Sequence, residues 1–115
     1  MSRVIWVDNN VASPENHKYR LRLEDEFKNI GFSFATSVFE AVNQVNSTVK
    51  TVLLVSGQMG KLLMPKIHHL KNVMVVLVFC FNTEEHKKWS SNFEKVKGVT
   101  KSFEEALLIS KKLLQ

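Results

Sequence analysis

Short apolar runs alternate with helically spaced apolar positions five times along the chain, the pattern of a strand-helix repeat. Residues 3–7 (Arg-Val-Ile-Trp-Val) are rich in β-branched side chains and apolar on both faces, as a central parallel strand is. Ser13 and Pro14 then supply a helix start, a hydroxyl N-cap followed by proline at the first helical position. Tyr19, Leu23, Phe27 and Ile30 recur at helical spacing, and Gly31 is expected to close that helix. Residues 32–36 read as a second, more edge-like strand. Ser37 and Glu40 have the spacing of a capping box, in which two exposed amides are satisfied reciprocally, and open a helix running to about Val45.

Residues 51–55 form the third strand, followed by a loop over 56–60 and a helical stretch bearing Leu62, Leu63, Ile67 and Leu70. Pro65 is expected in the first turn of that helix, or as a kink. Residues 73–79 give the most buried-looking strand. Asn82 or Thr83 caps the next helix, which carries Trp89 and Phe93. A brief fifth strand over 96–100 leads to a second capping box, Ser102 and Glu105, and to a last helix expected to bury Phe103, Ala106, Leu107, Leu113 and Leu114. Strands alternating with helices imply an α/β three-layer doubly wound sandwich built on a five-stranded parallel sheet. The flavodoxin-like order 2-1-3-4-5 is the expected solution for five strands, with residues 1–115 forming a single domain.

Composition narrows the class without naming an activity. An apolar fraction of 44% and a charged fraction of 23% are those of a globular protein, and 115 residues suffice for one core without cross-links. A single cysteine excludes an intramolecular disulfide and any all-cysteine metal site, which suits a reducing, cytoplasmic setting. The longest apolar run is far short of the roughly 20 residues a membrane helix needs, and the first is too short for a signal-peptide core. The net charge of +5 is uneven: residues 1–57 carry six basic and six acidic side chains, residues 58–115 ten lysines and five glutamates. These lysines fall mainly on predicted helices as solvated faces. The neighbouring aromatics do not form an RNA-stacking pattern, so the charge is not read as a nucleic-acid interface.

Ligands of an open parallel sheet collect at the carboxyl ends of its strands. The residues found there are Asp8, Asn9 and Asn10 after the first strand, Ser56, Gly57 and Gln58 after the third, Cys80 and Asn82 after the fourth, and Lys101 after the fifth. Their placement predicts that Asp8, Ser56 and Lys101 converge at one sheet edge. This set resembles a degenerate receiver domain, the CheY-like module of phosphorelay signalling. Receivers follow the first strand with an acidic pair, and here Asp8-Asn9 keeps one acid. They carry a phospho-accepting aspartate after the third strand and methionine or leucine three residues on; here Ser56 stands at the acceptor and Met59 is kept. Cys80 takes the place of a threonine or serine, and Lys101-Ser102-Phe103 echoes the conserved lysine without its proline. A narrower likeness covers Ile5-Trp6-Val7-Asp8 with Asn10-Val11, Val55-Ser56-Gly57 with Gly60, and Lys95-Val96-Lys97-Gly98-Val99. These are similar to an uncharacterised segment of protist and rotifer mosaic proteins, where it accompanies repeat or ADP-ribosyltransferase modules, and they imply a eukaryotic signalling accessory.

Receiver phosphorylation needs a carboxylate nucleophile and two acids holding magnesium. One formal negative charge at Asp8 is a poor magnesium site. No catalytic residue, metal or cofactor is assigned on this ground, and the resemblance implies a pseudo-receiver without phosphotransfer. Gly57 and Gly60 either expose amides as an anion nest or permit positive φ in a tight turn, and the second is favoured. No G-x-S-x-G elbow surrounds Ser56; His17 and His86 lie near strand ends, while the adjacent His68 and His69 are a poor metal pair. Cys80 is read as a small buried hydrophobe. The expectation is a non-catalytic signalling or protein-interaction module whose partner is a protein or a neighbouring domain, with homodimerisation open. The alternative is a nucleotide- or anion-binding domain, or a small enzyme, using Asp8, Ser56 and Lys101.

Overall fold

In the computed structural model, residues 2–114 are described, and all five strands lie in one parallel sheet of order β2-β1-β3-β4-β5. The strands are β1 (Ser2–Val7), β2 (Phe32–Ala35), β3 (Lys50–Ser56), β4 (Val73–Phe79) and β5 (Val96–Thr100). The helices are α1 (His17–Glu26), α2 (Val38–Val45), α3 (Gly57–Ile67), α4 (Thr83–Ser90) and α5 (Phe103–Leu113). The flavodoxin-like layout expected from the alternating pattern is therefore the one adopted. No helix among the described residues is long and apolar enough to cross a membrane.

Strand side chains alternate between two cores because successive residues point to opposite sheet faces. Ile5, Val7, Leu53, Val55, Val76 and Val78 face α2, α3 and α4, where they meet Ala41, Val45, Leu63, Met64 and Ile67. Val4, Trp6, Val52, Leu54 and Leu77 face α1 and α5, against Leu23, Phe27, Phe103, Ala106 and Leu107. Burial on both faces is why the central strands read as continuous apolar runs rather than alternating ones.

Several local expectations change. Ser13 makes no cap bond and Pro14–Asn16 forms a 3-10 turn before α1; α1 ends at Glu26, five residues before Gly31. Gly31 is not a left-handed cap: a Cβ there would lie 3.1 Å from that of Arg3. Only one half of each capping box forms. Ser37 and Ser102 accept from the amides of Glu40 and Glu105, while Glu40 instead accepts from the Thr36 hydroxyl. Asn82, not Thr83, caps α4. Pro65 lies deep inside α3 rather than in its first turn, depriving the Lys61 carbonyl of its helical donor on the exposed face. Leu113 is 44% exposed, whereas Ser110 is buried and Leu114 packs against the core formed with α1.

Candidate functional site

Because all strands are parallel, β1, β3, β4 and β5 deliver their terminal residues to the same sheet edge. The strand order reverses between β1 and β3, so Asp8 and Ser56 flank the switch point, the place where open parallel sheets commonly bind ligands. Lys101 shares the edge but stands apart from the switch point. Three strand spacings separate β1 from β5, about 14 Å at 4.7–4.9 Å each. Lys101 is exposed and forms no ion pair among the described residues.

Asp8 is half-buried. Its main-chain amide donates to the Ala35 carbonyl, and its Oδ1 accepts from the Asn10 amide at 2.8 Å, turning the chain away from β1. Burial raises the carboxyl's proton affinity above the usual aspartate range, and the Asn10 amide offsets part of that rise. The sign of the linkage follows. An acid that binds its proton more tightly when folded costs stability once it ionises, and that cost disappears as pH falls below the unfolded-state value. Asp8→Asn keeps an acceptor for the Asn10 amide and removes the charge. It is therefore expected to raise the urea midpoint at neutral pH, with the gain shrinking toward zero in acid. A midpoint that falls at neutral pH would show the carboxylate to be a stabilising counter-ion.

Asn9, Asn10 and Gln58 are exposed, and Asn82 is committed to capping α4 through Glu85. Cys80 is half-buried and its amide donates to the Thr100 carbonyl, tying β4 to β5. Burial, with the nearby Glu85 carboxylate, pushes the thiol's pKa up, so Cys80 is a packing residue rather than an activated nucleophile.

The turn after β3 differs most from the sequence expectation. Residues 56–60 are not a loop: α3 starts at Gly57, with Ser56 at the N-cap position making no side-chain cap bond. No glycine adopts positive φ, which removes both the nest and the tight-turn explanation. The two glycines are required for close approach instead. A Cβ on Gly57 would sit 2.3 Å from His86 Nε2, and one on Gly60 would sit 2.8 Å from Val55 Cγ2 and 3.0 Å from Trp89 Cη2. His86 is only 6% exposed, and its Nδ1 accepts from Trp89 Nε1 at 2.8 Å. An indole N–H can only donate, so Nδ1 is the acceptor in that bond and the Nε2 edge is the one that lies against the start of α3. His86, in α4, packs beside this sheet edge and is missing from the residues assigned to it from sequence. The signal was present: glycines three apart on α3 match two bulky rings three apart on α4, so small residues meet large ones across the helix pair.

Two open surface grooves lie away from the switch point. One of about 450 Å³ runs along β2 between Glu24 and Phe34, and one of about 490 Å³ lies at the starts of β4 and β5. Neither is lined by any of the nine strand-end residues.

No family model matches the chain, and neither a curated protein nor a solved structure matches it.

Proposed function

We propose that the chain is a receiver-like, non-catalytic interaction module whose strand-end edge engages a protein or a neighbouring domain. The observation that carries the reading is the composition of that edge. Asp8 is the one carboxylate at the ends of β1 and β3, and it is already engaged by the Asn10 amide. Phe39, 75% exposed after β2, and Phe81, 93% exposed after β4, bracket it on either side. A polar sheet edge flanked by exposed aromatics suits docking of a partner, since buried aromatic anchors carry a large share of interface energy. It does not suit phosphoryl transfer, which needs charge neutralisation by metal and a carboxylate acceptor.

The test is intact-mass measurement after incubation with magnesium and acetyl phosphate. The expected result is no phosphoryl adduct, because the serine at the acceptor position lacks a base and the metal lacks ligands. A stoichiometric adduct that disappears in Ser56→Ala would overturn the reading in favour of an active phosphotransfer site.

A further inference from the structure

The groove at the starts of β4 and β5 lies at the opposite edge of the sheet from Asp8 and Ser56. Its cationic and histidine lining is His68, His69, Lys71, Lys95 and Lys97, against a single carboxylate, Glu94. Lys95 is the informative member. It is half-buried, its Nζ donates to the Leu70 carbonyl at 2.6 Å, and it has no carboxylate partner among the described residues. A partly desolvated ammonium held in place by one neutral acceptor retains two donors and an unmatched charge. Being pre-positioned, it also loses less side-chain entropy on binding than a free lysine.

The apolar part of the lining narrows the ligand. The exposed Met74 contributes the uncharged surface, Val73 beneath it being fully buried. The lining holds no Phe, Tyr or Trp, and the His68 ring is packed at 5.3 Å against Phe93, which leaves the exposed His69 imidazole as the remaining ring of the lining, fewer than the two or three stacking rings of the common RNA-binding modules. Cations around a methionine match carboxylates spaced around one apolar side chain.

We infer that this groove is a docking site for an acidic polypeptide segment, its carboxylates meeting Lys71, Lys95 and Lys97 and an apolar side chain seated on Met74. This does not rest on the receiver-like reading, which concerns the other sheet edge. The competing account is that these lysines serve the fold by offsetting the negative carboxyl-terminal end of α3, which finishes at Ile67 beside the groove. The two accounts differ in which quantity a charge change moves.

The probe is a labelled glutamate-rich peptide interrupted by one leucine, titrated by anisotropy, with an oligouridine and vesicles of acidic lipid as comparators. Lys71→Glu/Lys97→Glu is expected to weaken peptide binding at least about tenfold, as truncating complementary interface charge does, with the melting midpoint unchanged. Lys18→Glu/Lys61→Glu changes net charge equally at exposed positions outside the groove and is expected to leave binding within about twofold if location matters more than net charge. No peptide binding, equal loss in both double variants, or tighter binding to the oligouridine or the vesicles would each overturn the inference. A lowered midpoint with unchanged binding would assign the lysines to the fold and overturn it as well.

Discussion

Gly57→Ala is expected to destabilise the protein by about 2–4 kcal/mol, against the sign that helix propensity gives. Gly57 opens α3, and alanine is favoured over glycine by about 1 kcal/mol inside a helix. The added methyl, however, meets His86 Nε2, Cδ2 and Cε1 at 2.3, 2.4 and 2.6 Å, well inside van der Waals contact. One of two things must give. Either α3 and α4 separate, losing the packing of Leu63, Met64 and Trp89 on the sheet, or the imidazole rotates out of a nearly closed site. Overpacking of this kind costs about 1–3 kcal/mol. Rotation additionally abandons the Trp89 Nε1 bond, and a buried donor left without its acceptor costs about 1–3 kcal/mol more. Urea denaturation of Gly57→Ala, His86→Ala and the double variant provides the test. Alanine at position 57 is expected to be tolerated in the His86→Ala background, giving strong non-additivity. If Gly57→Ala alone is neutral or stabilising, the close approach of α4 to the start of α3 is wrong.

Trp6→Ala is expected to cost about 3–5 kcal/mol, the range for removing a large aromatic from a core. Trp6 is 1% exposed near the carboxyl end of β1, facing α1 and α5 among Val4, Leu23, Phe27, Val52, Leu54 and Leu107. Set against a total of about 5–15 kcal/mol for a domain, the loss leaves a marginal fold. The informative comparison is Trp6→Phe. The indole Nε1 is buried and has no hydrogen-bond partner among the described residues, and an unpaired buried donor costs about 1–3 kcal/mol. Phenylalanine removes that donor along with part of the ring, and the two effects oppose each other. Trp6→Phe is therefore expected to change stability by no more than about 1 kcal/mol, the gain from deleting the unpaired donor nearly matching the lost contact. Denaturant midpoints of the two variants decide. A Trp6→Phe loss close to that of Trp6→Ala would mean that the indole nitrogen is satisfied in solution and that the tryptophan is kept for its hydrogen bond.

The strand ends explain why a fold can be more legible than a site. Placing Asp8, Ser56 and Lys101 after strands one, three and five put them on one edge by topology alone, as the parallel sheet has it. Their separation within that edge depends on strand order, which sets Lys101 about three strand spacings, roughly 14 Å, from Asp8. The surroundings of the switch point also depend on a helix that the strand-end pattern does not include. His86 reaches the start of α3 because α4 packs beside it, and only that packing gives Gly57 its role.

The features legible in the linear chain are those that local physics controls. Period-two and continuous apolar runs, helical spacing of Leu23 with Phe27, and the cap hydroxyls of Ser37 and Ser102 each act within a few residues. They specify elements, and the alternation of those elements restricts the chain to a parallel sheet covered on both faces. The tertiary structure decided everything that needs two distant segments at once. Gly57 and Gly60 lie in ordinary helical backbone, and the reason for them is the ring of His86 and the indole of Trp89, 29 residues on in each case. Asp8 is half-buried by its neighbours at the switch point, which is what raises its proton affinity. Lys95 is held by a carbonyl 25 residues earlier in the chain. Distances, desolvation and close approach are properties of pairs, and a linear pattern carries them only when both members announce each other, as the glycine and ring spacings of α3 and α4 do.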